Sequence, residues 1–98
     1  MYTIEFSEMA VGHLEEVKPF IRNRILDEIE EQLTTEPVRI TRRKKTLKGV
    51  KPPWLRVPPV WQLRIEDYRV FYDVDEQLKT VTVHAVLFKG KKTTGEIL

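Results

Sequence analysis

The sequence predicts one α+β domain over residues 1–98, with helices packed on one face of a sheet that ends in three antiparallel strands. Three observations lead to this fold class. The chain opens on an alternating apolar run, continues with two helical patterns separated by a proline, and closes with three more alternating runs. A chain of 98 residues can build one modest hydrophobic core but not a separate cofactor domain as well.

The N-terminal third predicts a strand followed by two helices. Tyr2, Ile4 and Phe6 alternate with polar residues and would share one side of the strand. Ser7 is suited to cap the first helix, and Pro19 is tolerated only where a second helix begins. In that second helix the apolar residues recur near one face: Phe20, Ile21, Ile25, Ile29 and Leu33. The pattern predicts an amphipathic helix that lies on the sheet.

Residues 35–60 are predicted to form a long, ordered, basic loop. The segment holds five of the six prolines, and Pro52–Pro59 cannot lie inside a helix or a central strand. Trp54, Leu55 and Val57 give it apolar side chains to bury. Two roles stay open at this point, because a long loop in a small domain can stabilise the sheet or contact a ligand.

A tight hairpin is predicted within Trp61–Val74, where two alternating runs meet. A two-residue loop at Asp67 and Tyr68 would make one face of the hairpin apolar and the other cationic. The predicted pairs are Ile65 with Val70 and Leu63 with Tyr72 on the apolar face, and Glu66 with Arg69 and Arg64 with Phe71 on the other.

The last strand is predicted to span Thr80–Phe88. Both of its sides are largely apolar, which is typical of a central strand. Simple alternation places Val81, Val83, Ala85 and Leu87 on one side. His84 is interpreted as a packed, hydrogen-bonded histidine rather than a catalyst, and the polar tail 89–96 as mobile.

Charge is unevenly distributed along the chain. Residues 1–37 carry nine acidic and three basic side chains, whereas residues 38–64 carry nine basic and no acidic ones. Such a local excess is typical of proteins that bind a polyanion, although a solvated basic loop gives the same pattern. The absence of cysteine excludes a disulfide framework and a thiolate metal site. No apolar run approaches the roughly 18 to 20 residues that span a bilayer, so we expect a cytoplasmic protein with no membrane, metal or cofactor partner.

Four short stretches carry a resemblance to a known superfamily. They are Ile21–Leu26, Leu47-Lys48-Gly49, Trp61-Gln62-Leu63-Arg64 and Asp67–Tyr72. With these stretches in this order, the sequence resembles the RelE/ParE superfamily of toxins from bacterial type II toxin–antitoxin pairs. The resemblance covers most of the chain and implies a RelE-like fold.

The resemblance favours the RelE-like branch, whose members cleave messenger RNA in the ribosomal decoding site. It therefore implies a ribosome-dependent endoribonuclease that needs no metal and inhibits translation. Two alternatives stay open: a ParE-like inhibitor of DNA gyrase without nuclease activity, and a non-toxic homologue that binds only its antitoxin. The implied partners are a cognate antitoxin, mRNA on the ribosome, and operator DNA only as the toxin–antitoxin complex.

The implied chemistry depends on fixed cations. When a 2′-hydroxyl attacks its own 3′-phosphate, the developing dianionic phosphorane can be stabilised by arginine, whose fork donates two parallel hydrogen bonds. The resemblance assigns this role first to Arg69, with Arg64 and Lys89 as further catalytic candidates. The candidate RNA contacts are Arg43, Lys44, Lys45, Lys48 and Gln62.

The family's C-terminal aromatic or histidine acid–base has no counterpart here, since residues 95–97 near its place read Gly-Glu-Ile. Structural roles are the alternative for the two arginines of the hairpin. Arg69 could form an exposed ion pair with Glu66, and Arg64 could stack on Phe71.

Overall fold

The computed structural model describes residues 1–98 and contains five strands and three helices. In chain order these are β1 (Thr3–Phe6), α1 (Glu8–Glu15), α2 (Pro19–Leu33), β2 (Lys44–Leu47), β3 (Val60–Ile65), β4 (Tyr68–Asp75), β5 (Thr80–Phe88) and α3 (Thr94–Ile97). None of the helices is both long enough and apolar enough to cross a membrane.

The strands form one sheet in the order β1-β5-β4-β3-β2. Strands β2 to β5 are antiparallel neighbours, and β1 pairs in parallel with β5. The predicted α+β class and the meander β3-β4-β5 are confirmed, and β5 lies inside the sheet as expected. The sheet is wider than the predicted meander, because β1 and β2 add an edge strand on each side.

The main hydrophobic core lies between the two longer helices and one face of the sheet. Ser7 caps α1 by accepting a hydrogen bond from the Ala10 N–H at 3.1 Å, and Pro19 opens α2, both as predicted. Helix α2 buries Ile25, Ile29 and Leu33 against the sheet.

Phe20 is the exception to the predicted apolar face of α2, because its side chain is 73% exposed. At 100° per residue, Phe20 projects about 180° away from Ile29 around the helix axis. The expectation that it joins the core was therefore wrong.

The opposite face of the sheet carries a second, smaller core. Val60, Phe71 and Ala85 are buried there under Trp54 and Leu55 of the proline-rich segment. The segment thus packs against the sheet, which is the stabilising role of the two left open by the sequence.

A buried acidic side chain holds this proline-rich segment in place. Asp73 Oδ2 accepts hydrogen bonds from the backbone N–H groups of Arg56 at 3.2 Å and Val57 at 3.3 Å, and lies 2.8 Å from His84 Nε2. The Trp54 ring stacks on the His84 ring with 4.8 Å between centroids. His84 is 4% exposed, so it is the packed histidine that the sequence predicts.

The hairpin turn lies one residue earlier than predicted. Glu66 and Asp67 form the turn, with Glu66 at a φ of 53°, and Tyr68 already belongs to β4. The cross-strand pairs are therefore Ile65 with Tyr68, Arg64 with Arg69, Leu63 with Val70 and Gln62 with Phe71. The predicted partners were wrong, but the division into an apolar and a cationic face is correct.

Two segments predicted to lack regular structure contain short elements. Strand β2 interrupts the predicted loop 35–60, because its backbone pairs with β3 from Lys44 opposite Leu63 to Leu47 opposite Val60. The tail contains α3, which has a complete capping box between Thr93 and Glu96. The expectation of an uninterrupted loop was therefore wrong, and the polar tail is helical at Thr94–Ile97.

A bulge in β5 makes the simple alternation predicted for this strand wrong. Val83 pairs with Tyr72 and Ala85 with Phe71, so His84 has no partner on β4. The extra residue reverses the alternation, and Ala85 belongs to the smaller core while Val83 belongs to the main core.

Candidate nucleic-acid interface

A cationic cavity opens on the sheet face opposite the two longer helices, next to the hairpin turn. Its volume is about 350 Å³. Strands β2, β3 and β4, the end of β5 and the start of α3 contribute its lining: Arg42, Arg43, Lys45, Gln62, Arg64, Arg69, Lys89, Thr93 and Thr94. We call this the cationic cavity.

Strand register explains why these side chains converge. Lys45 pairs with Gln62 across β2 and β3, and Arg64 pairs with Arg69 across β3 and β4. Directly paired residues point to the same face of a sheet, and alternation turns the intervening Leu63 toward the main core. Three strands therefore present polar groups to one surface.

Arg69 is held against the hairpin turn. Its Nη1 donates to the carbonyl oxygens of Glu66 at 2.7 Å and Tyr68 at 2.9 Å. Burial lowers the pKa of Arg69, and the nearby Arg64 charge lowers it further. An arginine keeps its charge even so, and its remaining N–H groups make no hydrogen bond within the protein.

The structural alternatives for the two hairpin arginines are not observed. The carboxylate of Glu66 pairs with Arg24 at 2.9 Å rather than with Arg69. Phe71 is fully buried in the smaller core opposite Gln62, and the cation–π contact of the protein joins Lys79 to Tyr2. Neither arginine is thus occupied by the side chain expected to engage it.

Arg43 connects the rim of the cationic cavity to helix α2. Its Nη2 lies 2.7 Å from Glu28 Oε2, and its Nε donates to the Arg64 carbonyl oxygen at 3.0 Å. Both side chains of the ion pair are partly buried. Arg43 therefore has a structural role in addition to its place in the cavity lining.

Lys44 does not lie in the cationic cavity, which corrects its expected role as an RNA contact. Its side chain is on the helix side of the sheet, 3% exposed, and Nζ donates to the carbonyl oxygens of Gln32 at 3.1 Å and Glu36 at 2.8 Å. Burial lowers the pKa of Lys44, while the charge of Glu36 opposes that effect. The ammonium group satisfies carbonyls at the end of α2.

Lys48 is also separate from the cationic cavity. It lines a different surface cavity along the proline-rich segment, together with Leu47, Pro52 and Leu55. The structure therefore unites six of the eight sequence-predicted site residues: Arg43, Lys45, Gln62, Arg64, Arg69 and Lys89.

Three cavity residues were not predicted from the sequence. Arg42 belongs to the basic run, but nothing local distinguishes it from its neighbours. Thr93 could have been recognised, because Thr-x-x-Glu is the signature of a capping box. The place of Thr94 depends on how α3 packs, which no local pattern encodes.

Glu96 faces its own helix rather than the cationic cavity. Its Oε1 accepts the Thr93 N–H at 3.1 Å, and hydrogen bonds from Thr93 lower the pKa of Glu96. The lining of the cavity contains six cations and no carboxylate, histidine or tyrosine. Such a surface suits phosphate groups, which arginine binds through paired N–H donors.

The sequence also matches a known protein family. The sequence model of the ParE toxin of type II toxin–antitoxin systems, parDE, matches residues 4–90. No curated protein matches the sequence.

Solved structures show the same fold. The archaeal RelE–RelB complex from Pyrococcus horikoshii OT3 matches with a TM-score of 0.70 at 23% identity, covering 92% of this chain and 97% of that chain. The RelBE2 complex from Mycobacterium tuberculosis matches with a TM-score of 0.67 at 25% identity, covering 89% and 96%. The isolated E. coli RelE toxin matches with a TM-score of 0.68 at 20% identity, covering 98% and 92%.

The family match extends from β1 to the end of β5, so it includes the whole sheet and most of the cationic cavity. The chain therefore belongs to the ParE toxin family of type II toxin–antitoxin systems, within the RelE/ParE superfamily.

Proposed function

We propose that this toxin inhibits translation by cleaving messenger RNA on the ribosome without a metal ion. The observation that carries the proposal is the cationic cavity, in which six positive side chains converge with no acidic group among them. A cavity of that charge attracts a polyanion, and a lining without any hydrophobic side chain suits a phosphodiester rather than an apolar ligand.

The arginines of the hairpin supply the main chemical role. Arg69 is fixed through Nη1, so its Nε and Nη2 groups are free to donate to a phosphate. Arg64, directly across the ladder, adds a second charge to the same group. Preorganised cations of this kind stabilise the dianionic phosphorane formed when the 2′-hydroxyl attacks. Lys89 adds electrostatic support from the end of β5.

Proton transfer is the reason for placing the reaction on the ribosome. The cavity lining offers only the ammonium groups of Lys45 and Lys89 as side chains with a proton to exchange. Cleavage requires a proton to leave the 2′-oxygen and another to reach the departing oxygen. Ribosomal groups that meet the cavity rim complete that pair of transfers.

A cognate antitoxin is the proposed protein partner in the cytoplasm. The similar structures from Pyrococcus horikoshii and Mycobacterium tuberculosis are toxin–antitoxin complexes. An antitoxin segment with acidic residues would neutralise Arg64 and Arg69 and block RNA. Operator DNA is bound only by the toxin–antitoxin complex in this proposal.

Inhibition of DNA gyrase is the second candidate function. The absence of histidine, tyrosine and carboxylate from the cavity favours it, because a protein that only binds its target needs no proton-transfer group. The ParE description of the matching family favours it as well.

Controlled expression in bacteria distinguishes the two functions. Cleavage predicts a rapid fall in amino-acid incorporation, with new mRNA 5′ ends mapped by primer extension and no induction of a DNA-damage reporter. Gyrase inhibition predicts early induction of the reporter while translation continues. Induction of the reporter without cleaved mRNA would exclude the ribonuclease.

Salt dependence tests the cavity itself. If three phosphates are neutralised, affinity for single-stranded RNA should fall about twentyfold between about 50 and 200 mM salt. Lys18→Gln is the matched control, because this exposed lysine lies beside α2 on the helix side of the molecule. Arg64→Gln should reduce the salt slope, and Lys18→Gln should leave it unchanged. An affinity that is flat across this salt range contradicts the proposal.

A further inference from the structure

We propose that Thr94 is a positioning residue, which turns the amide of Gln62 so that its N–H₂ group donates to an oxygen of a phosphodiester in the cationic cavity. The inference rests on the proposed function, because it assigns a neutral donor to the same phosphate-binding site. It concerns the contact between α3 and β3, where Thr94 Oγ1 donates to Gln62 Oε1 at 3.1 Å.

Gln62 is the least exposed residue of the cavity lining. It is 4% exposed on β3, between Lys45 of β2 and Phe71 of β4. Its Nε2 makes no hydrogen bond within the protein, although no fully buried side-chain nitrogen or oxygen is left without a partner. The small accessible part of Gln62 is thus the unpaired amide nitrogen at the cavity wall.

Without Thr94 the amide would turn around. The six cations of the cavity attract the carbonyl end of an amide dipole and repel its N–H₂ end. The hydrogen bond from Thr94 holds Oε1 away from those cations and leaves the N–H₂ group facing the cavity. A donor that is already oriented needs no rearrangement when the anion binds.

Thr94 is free for this task because other residues build α3. Thr93 and Glu96 form the capping box at the start of the helix. Ile97 packs against the smaller core and anchors the helix to the sheet. The hydroxyl of Thr94 takes part in neither contact, and its side-chain hydrogen bond is the one to Gln62.

The test measures binding of a single-stranded RNA nonamer with 2′-O-methyl groups, which cannot be cleaved. Thr94→Val keeps the shape of the side chain but removes the hydroxyl, and Thr94→Ser keeps the hydroxyl. We expect Thr94→Val to weaken binding about fivefold, the effect of one neutral hydrogen bond, and Thr94→Ser to bind like the wild type. Gln62→Met should weaken binding by a similar factor. The double variant Gln62→Met/Thr94→Val should bind no more weakly than Gln62→Met alone.

Thermal melting separates positioning from folding. Thr93→Val removes the cap of α3 and serves as the reference for a loosened helix. Thr94→Val should have the same melting temperature as the wild type. Wild-type affinity in Thr94→Val would overturn the inference, and so would additive losses in the double variant. A wild-type protein that binds the nonamer but cleaves no mRNA would overturn the ribonuclease function and leave the inference standing. No binding by the wild type would overturn both.

Discussion

Arg64 and Arg69 are direct cross-strand partners at the end of the β3–β4 hairpin. Like charges at such positions destabilise a sheet, by up to about 1 kcal/mol for a close pair. Burial is the larger cause that lowers the pKa of Arg69, and the charge of Arg64 lowers it further. An anion bound between the two side chains would offset their mutual repulsion. The paired arginines therefore favour the anion-bound form of the hairpin over the free form.

Arg69→Ala should abolish toxicity and reduce RNA cleavage by at least about a hundredfold, because the phosphorane loses its fixed donor. The melting temperature should change little, since relief of repulsion from Arg64 offsets the two lost hydrogen bonds to the turn. Arg69→Lys should recover only part of the activity, because a point charge lacks the arginine fork. Growth arrest, cleavage rate and melting are measured for each variant. A fully toxic Arg69→Ala protein rules out this role, and an unfolded one indicates a structural role.

Lys89→Ala should cost less activity than Arg69→Ala if the lysine supplies only general electrostatic support. Its side chain lines the cationic cavity from the end of β5. Its backbone N–H donates to the Asp67 carbonyl oxygen at 2.7 Å, and an alanine at this position can make the same hydrogen bond. Cleavage rates measured at equal salt show which of the two variants loses more activity. An equal or larger loss in Lys89→Ala would instead make this lysine a principal group of the reaction.

Lys44 and Lys45 should respond in opposite ways to the same substitution. Lys44→Met removes the ammonium donor to two partly buried carbonyl oxygens, of Gln32 in α2 and Glu36 just beyond it, which should cost about 1–3 kcal/mol of unfolding free energy. Lys45→Met changes an exposed cavity residue and should alter stability by less than about 0.5 kcal/mol while weakening RNA binding. Urea denaturation and RNA titration are run on both. The prediction fails if Lys44→Met is as stable as the wild type.

Asp73→Ala should release the proline-rich segment from the sheet. The change leaves the N–H groups of Arg56 and Val57 and the His84 ring without their acceptor, and each buried donor left unpaired costs about 1–3 kcal/mol. His84→Phe keeps a ring beneath Trp54 and should cost less. Urea denaturation gives the stability, and limited proteolysis of residues 48–57 reports release. Unchanged protease resistance in Asp73→Ala would show that the apolar contacts alone hold the segment.

Protein stability should decrease on acidification because of His13. Its Nδ1 accepts the Val86 N–H at 3.1 Å, and burial lowers the pKa of His13 below its ordinary value of 6.5. The folded protein therefore takes up a proton on this ring only at a lower pH than the unfolded chain, which takes one up as the pH falls through about 6.5. The stabilisation that comes from neutral His13 is complete above about pH 6.5, and it is lost as the pH falls below that value. Urea midpoints measured from about pH 5.5 to 7.5 should show a steeper slope in the wild type than in His13→Gln; equal slopes would refute the assignment.

The faces of the hairpin could be predicted from the sequence, but its register could not. Moving the turn from Asp67 and Tyr68 to Glu66 and Asp67 shifts each cross-strand partner by two residues. A shift of two keeps every side chain on its face, so Arg64 and Arg69 remain on the cationic side. The turn itself has no glycine or asparagine to mark it, and Glu66 adopts a positive φ that its residue type does not indicate.

The parts of the fold that the sequence did not indicate depend on tertiary contacts. Strand β2 is a lysine-rich segment that becomes regular only through pairing with β3. That pairing places Lys44 on the core side and Lys45 on the cavity side, and a loop prediction contains no such alternation. The bulge at His84 likewise has no local signal, because both sides of β5 are apolar.

Residues on the two faces of the sheet are under different constraints. The helix face holds most of the buried apolar residues, and the cationic cavity lies on the other face, with Arg43 at its rim reaching helix α2. Substitutions at exposed residues such as Lys45 and Arg64 can therefore accumulate without disturbing the packing that keeps the chain folded. A lineage with this fold can therefore change what this surface binds by replacing a few exposed side chains, while the packing on the helix face stays the same.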